Sequence, residues 1–190
     1  MSELCSLAEK YGSDKAPSIH HTYTPYYYEL FSPIRNNVKK VLEIGIGGAR
    51  YRNKIKDFNP VLGASLKMWR DFFPNAQVYG IDIDPDTMFK DERIETFVCD
   101  QSDPEALKEL IKKIGDVDIV IDDGSHHPIH QVVSCQTLMP LLKKEAIYII
   151  EDVRLPDYVM NGLKEFDCSI PSIPAMKLSR HNRLILVKHR

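Results

Sequence analysis

The chain has 190 residues, enough for one ordinary domain that buries a core without disulfide or metal staples. With 43% hydrophobic and 27% charged residues and a formal net charge of −2, it carries no extended basic footprint for nucleic acid. No apolar run approaches the roughly 20 residues that span a bilayer, and the first residues lack the basic-then-apolar profile of a secretory signal. The four cysteines, Cys5, Cys99, Cys135 and Cys168, form no CxxC pair, which disfavours a zinc ribbon and suits reduced thiols. The expectation is a cytoplasmic globular protein with no nucleic-acid and no membrane partner.

In chain order, residues 1–37 form a Tyr- and His-rich lead-in, "YGSDKAPSIHHTYTPYYYELF", ahead of the first strand signal. From Val38 onward, near-continuous apolar runs at 38–45, 76–83, 94–99, 117–123, 146–152 and 183–189 read as strands covered on both faces. Helical patterns at 65–73, 102–114 and 127–142 alternate with them, the pattern of a parallel sheet with covering helices. The second helix opens with "SDPE", a cap residue followed by proline and acids. Residues 38–190 thus read as one α/β domain behind the lead-in. A basic insertion at 49–63, "ARYRNKIKDFNPVLG", separates the first strand from its helix, and loops that long in compact α/β units are often functional.

The strand "VLEIGIGG" (Val41–Gly48) ends in a glycine turn that lets backbone approach a ligand closely. A dinucleotide fingerprint needs a third glycine where Arg50 stands. Glu43, two residues before Gly45, would repel a pyrophosphate but suits a ligand bearing an ammonium and a sulfonium, a charge argument for S-adenosylmethionine over a nicotinamide cofactor. The second strand ends "GIDID", where Asp82, or Asp84 if the register slips, can accept ribose hydroxyls. The third ends "CDQSD", placing Asp100 and Gln101 at an adenine edge; Ser102 and Asp103 read more simply as helix caps.

The fourth strand ends "IDDGSHH" and the fifth "IIEDV". Alternation sends Asp122 and Asp123 to opposite faces of the sheet. If these strands are neighbours, about 4.8 Å apart, then Asp123, Glu151 and Asp152 crowd one edge, and like charges so close raise each other's pKa unless a cation lies among them. Oxygen ligation with open positions suits Mg²⁺, or Mn²⁺ or Ca²⁺. His126, three residues beyond Asp123, could remove a proton from a metal-acidified hydroxyl. The plainer alternative is that Asp123 and Ser125 cap the helix beginning near His127 while His126 is merely solvated.

Together, "VLEIGIGG", "GASLKMWRDFFPNAQVYGIDID", "CDQSD", "DIVIDDGSHH" and "IYIIEDV", with the lead-in "KYGSDK…HTYTPYY", resemble a class I S-adenosylmethionine-dependent methyltransferase. More narrowly, they resemble the metal-dependent sugar O-methyltransferases of the macrocin and mycinamicin type and their cephalosporin-hydroxylase-like relatives. The resemblance implies a Rossmann-like, mostly parallel seven-stranded sheet with helices on both faces. It implies that Glu43, Gly45 and Gly47 line the methionine part of the cofactor, Asp82 its ribose, Asp100 and Gln101 its adenine, and that Asp122 faces its amino end. It places Mg²⁺ on Asp123, Glu151 and Asp152, makes His126 the general base, and puts His21, Tyr23 and Tyr27 near the acceptor, where the tyrosines could equally pack a helix. The acceptor implied is a sugar hydroxyl on a deoxysugar or glycan. Catechol-like or natural-product acceptors, a nicotinamide-dependent oxidoreductase and an inactive cofactor-binding module are the rivals. Whether the chain forms a homo-oligomer or is a domain of a larger glycan-assembling enzyme stays open.

Overall fold

A computed structural model of the chain describes residues 2–47, 61–174 and 182–190. Arg50 and all of the 49–63 insertion up to residue 60 lie outside the described residues. The lead-in forms two helices, α1 (Glu3–Tyr11) and α2 (Tyr23–Phe31). Ser2 caps α1 by accepting from the Cys5 amide, and Gly12, at φ 72°, ends it. Among the described residues, the further α-helices are α3 (Ala64–Phe72), α4 (Pro104–Ile114), α5 (Pro128–Leu138) and α6 (Pro156–Gly162). Asp103, not Ser102, caps α4, accepting from the amides of Glu105 and Ala106 with Pro104 as the first helical residue.

The strands are β1 (Lys40–Ile44), β2 (Gln77–Asp82), β3 (Lys90–Asp91), β4 (Ile94–Val98), β5 (Ile119–Asp122), β6 (Ile147–Ile150), β7 (Asp167–Ser169) and β8 (Ile185–Lys188). They form one sheet in the order β3-β4-β2-β1-β5-β6-β8-β7. The five strands from β4 to β6 in that order run parallel, while β3, β8 and β7 pair antiparallel. The seven strands expected become eight because a two-residue arm, β3, folds back on β4. Two such residues, both exposed and charged, carry no apolar signal.

Each face of the sheet has its own core. Leu42, Ile44, Val120, Tyr148 and Ile150 meet α4, α5 and α6 on one side. Val41, Ile119, Ile121 and Ile149 meet α3 and the lead-in on the other, where Tyr23, Tyr27, Phe31, Trp69 and Phe72 are fully buried. Full burial of an apolar side chain contributes about 1.5–3 kcal/mol, so the lead-in is held by the same core as the sheet. β1 lies between β2 and β5, so the chain crosses over at β1, and the carboxyl ends beside that switch point are where open α/β sheets take ligands.

Candidate active site

A cavity of about 980 Å³ opens at those carboxyl ends, a volume at the upper end of small-molecule sites. The glycine turn after β1 forms part of its wall. Gly45 has φ +81°, and a Cβ there would stand 2.3 Å from the Asp123 carbonyl oxygen, so the position demands glycine both for its backbone and for its closeness to the β5 loop. Gly47, at φ +74°, has nothing among the described residues within 4 Å of a Cβ position. Asp82 braces the turn, its two carboxylate oxygens accepting from the amides of Ile46 at 3.1 Å and Asp84 at 3.0 Å. Asp84 accepts from the Asp86 amide. Both acids line the cavity and keep lone pairs free for hydroxyl donors.

Asp100 also lines the cavity, and the amide and hydroxyl of Ser102 hold its carboxyl below the usual range. Gln101 acts as a strut: its amide donates to Asp122 at 3.0 Å and its carbonyl accepts from the Ser125 amide at 2.6 Å. Asp122 is wholly buried under the α5 face, receiving Ser134, Tyr148, Gln101 and the Gly124 amide, and burial raises its pKa. Among the described residues, neither Asp122 nor Glu43 lines the cavity. Glu43 lies just beneath it. Neither of its oxygens receives an aligned hydrogen bond, and burial pushes its pKa up to about 7.

The second half of the site sits on the tips of β5 and β6, which pair as expected, Asp122 beside Ile150. Strand alternation puts Glu43, Asp123 and Glu151 on the lead-in face. The crowding of acids is therefore present, but an ammonium lies inside it. Lys15, only 1% exposed, places its Nζ 2.5 Å from Asp123 Oδ2, 2.7 Å from Glu151 Oε2 and 3.3 Å from Glu43 Oε1. Burial opposes its charge, yet the three carboxylates keep its pKa well above normal. Sequence reasoning missed this residue. The signal was the "GSDK" segment itself, and the need for positive charge was met on paper by a metal alone.

Asp123, His126 and Asp152 form the outer set. Their ligand atoms lie within 4.8 Å of one another, with His126 Nε2 3.3 Å from Asp123 Oδ1 and Nδ1 3.5 Å from Asp152 Oδ2. All three are partly exposed to the cavity. Asp123 does not cap α5; Ser125 Oγ instead accepts from the His127 amide. His126 and Asp152 both take left-handed backbone conformations, φ 56° and 50°, which cost about 1–3 kcal/mol each for residues other than glycine and cluster at functional sites. Burial alone would lower the His126 pKa, but hydrogen bonding and charge from Asp123, joined by Asp152, raise it to about 9. The Asp123 carboxyl is held well below the usual range because Lys15 and His126 outweigh its burial. Glu151, deeper in, is pushed up by burial.

The lead-in holds these acids from behind. The Tyr23 hydroxyl donates to Asp152 Oδ1 and that of Tyr27 to Glu151 Oε1, both at 2.6 Å, and both rings are fully buried. His21 stacks on Tyr23, lies 3.6 Å from Asp152 Oδ2 and reaches the cavity wall. Two carboxylates, Asp123 and Asp152, and the His126 imidazole converge at a partly exposed lip, with Glu151 buried behind them, and carboxylate oxygens match the donor chemistry of a hard divalent cation. The acid-lined cavity beside the glycine turn, with the buried Glu43 carboxylate behind it, suits a cationic nucleoside.

No family model matches the chain. Over 151 residues, 80% of its length, it is 42% identical to the 8-demethyl-8-alpha-L-rhamnosyl tetracenomycin-C 2'-O-methyltransferase of Streptomyces olivaceus and 40% identical to the demethylmacrocin O-methyltransferase of Streptomyces fradiae. It spans only 38% and 36% of those relatives. Among solved structures, the MycE methyltransferase from the mycinamycin biosynthetic pathway, in complex with Mg, SAH and mycinamycin VI, aligns with the whole chain at a TM-score of 0.77 and 29% identity, 55% of that protein being covered. A SAM-dependent methyltransferase of Anabaena variabilis aligns at a TM-score of 0.58 and 14% identity, a likeness of fold alone. The chain therefore has the Rossmann-like methyltransferase fold, and its curated homologues are sugar O-methyltransferases of the macrocin and mycinamicin type.

Proposed function

We propose that the chain carries the catalytic site of an S-adenosylmethionine- and Mg²⁺-dependent O-methyltransferase acting on a sugar hydroxyl of a small glycosylated molecule. The observation that carries this reading is the Asp123–His126–Asp152 set at the lip of a cavity whose other wall is the Gly45–Gly47 turn. The names of the relatives support it, as does the complex of MycE with Mg and SAH.

In this reading Asp82 and Asp84 accept the ribose hydroxyls, and Asp100 and Gln101 border the base. Glu43 adds negative potential under the methionine end. Asp122 and Gln101 keep the β5 loop in place. Asp123 and Asp152 would hold the cation, with Glu151 completing the set from the Lys15 side; when bound, the cation would raise the acidity of the acceptor hydroxyl and the cofactor would supply the methyl group. With a cation neutralising Asp123 and Asp152, the charges that raise the His126 pKa in the metal-free protein would be cancelled, and the neutral imidazole would accept the hydroxyl proton on a ring nitrogen, a transfer worth roughly 10²–10⁴ in rate. Tyr23 and Tyr27 fix the acids, and His21 at the wall meets the acceptor. The cavity between the Gly45–Gly47 turn and the Asp123–His126–Asp152 lip would hold acceptor and cofactor side by side, and that positioning would supply much of the remaining acceleration.

The test is methyl transfer from labelled S-adenosylmethionine to a panel of rhamnosyl and other deoxysugar conjugates, catechols and free sugars, before and after exhaustive chelation. Transfer to a sugar hydroxyl that stops on chelation and returns with Mg²⁺ is the expected result. Transfer only to catechols would displace the sugar reading, and undiminished transfer after chelation would remove the metal.

A further inference from the structure

Lys15 is a buried ammonium in the middle of the acids that the proposed chemistry uses, and the reaction gives it no part. Its backbone is pinned on both sides. The Thr24 amide donates to the Lys15 carbonyl at 3.2 Å, the His21 amide donates to the Asp14 carbonyl at 2.7 Å, and α1 ends three residues earlier at Gly12. The side chain is thus delivered by a short, braced turn between α1 and α2 and has little freedom to leave. It touches Glu43, Asp123 and Glu151 together. Asp123 is the hinge of the arrangement: its Oδ2 is on Lys15, while its Oδ1 belongs to the outer set with His126 and Asp152.

We propose that Lys15 is an internal counter-cation of the metal centre, a positioning residue that keeps Asp123 and Glu151 converged when no metal is bound and competes with a divalent cation for their charge. The inference rests on the reading that this site takes Mg²⁺. Its physical basis is that buried carboxylates cannot lie together uncompensated. Lys15 lets the fold assemble before metal arrives, and the same attraction sets a threshold that the metal must overcome. Were that convergence its whole role, with no competition, the removal of Lys15 would let the acids splay and weaken metal binding.

The test is calorimetric titration of Mg²⁺ into the metal-free full chain, for the wild type, Lys15→Met and Lys15→Arg, with thermal melts in chelator and in Mg²⁺. Lys15→Met should bind Mg²⁺ about tenfold or more tightly than the wild type, in the usual range for coupled sites. It should also melt lower than the wild type in chelator and recover most of that loss in Mg²⁺, while Lys15→Arg stays near the wild type. Equal or weaker binding by Lys15→Met, with the wild type binding normally, overturns the inference and leaves the metal reading intact. No binding by either protein overturns both. Should Lys15→Met fail to fold, the ¹⁵N–H signal of the Lys15 ammonium in the wild type decides: a shift or loss on Mg²⁺ saturation is expected, and an unmoved signal in the Mg²⁺-bound protein overturns the competition.

Discussion

At the tip of β5 the two faces of the sheet hold consecutive carboxylates in opposite ways. On the α5 face, Asp122 is ringed by neutral donors, the Gln101 amide and the hydroxyls of Ser134 and Tyr148, and burial raises its pKa. On the lead-in face, Asp123 lies between Lys15 and His126, which hold its pKa well down. A buried carboxylate wrapped in fixed neutral dipoles is a piece of architecture, since nothing in its surroundings can be exchanged for a ligand. A carboxylate balanced by cations keeps its charge and can trade one cation for another. Adjacent residues of the same type therefore divide into scaffold and chemistry according to what donates to them.

That contrast can be broken most sharply at His126. His126→Ala should lower turnover roughly 10²–10⁴-fold, the range for losing a general base, with cofactor affinity little changed in a binding titration; near-normal turnover would remove His126 from the reaction. A second effect is a pH dependence carried by Glu43 on the lead-in face. With its pKa raised to about 7, Glu43 gives stability that is fully present below the usual carboxyl pKa and is lost as pH rises through about 7. Urea melts of the metal-free protein should therefore lose stability between about pH 4.5 and 7. Glu43→Gln should flatten that slope, by a few kcal/mol at most. An unchanged slope would mean that Glu43 stays ionised throughout.

Tyr23→Phe removes the hydroxyl that orients Asp152 and should weaken Mg²⁺ binding about 10–100-fold, the usual cost of losing a partner that orients a metal ligand. Tyr148→Phe makes the matching cut on the other face. It strips one donor from Asp122 and should cost about 1–3 kcal/mol in chemical denaturation while leaving Mg²⁺ affinity where it was. If Tyr148→Phe loosened the metal as much as Tyr23→Phe, the division between the two faces would be false.

The parallel strands were legible because strands buried on both sides read as uninterrupted apolar runs; their order was not, and the pairing of β5 with β6 stood only as a condition until the structure supplied it. β3 and β7 escaped because two or three polar, largely exposed residues leave no such trace. Strand alternation separated Asp122 from Asp123 and grouped Asp123 with Glu151. What alternation could not give is the direction of a side chain brought in from a distant turn. Lys15 reaches Asp123 across 108 residues and Glu151 across 136. The hydroxyls of Tyr23 and Tyr27 arrive in the same way, from a helix whose aromatic residues look like ordinary packing. Gln101 and Asp122 likewise gave the signal of strand-end polar residues, while the partnership of Asp122 with Ser134 depends on how α5 docks.

The central claim is that the acids at the tips of β5 and β6 gather a divalent cation at the lip of the cofactor cavity. Anomalous diffraction from a crystal of the metal-free protein soaked in Mn²⁺ tests it most directly. The expected result is a single strong peak within coordination distance of Asp123 and Asp152, beside His126. Well-ordered side chains at these positions with no peak among them would contradict it.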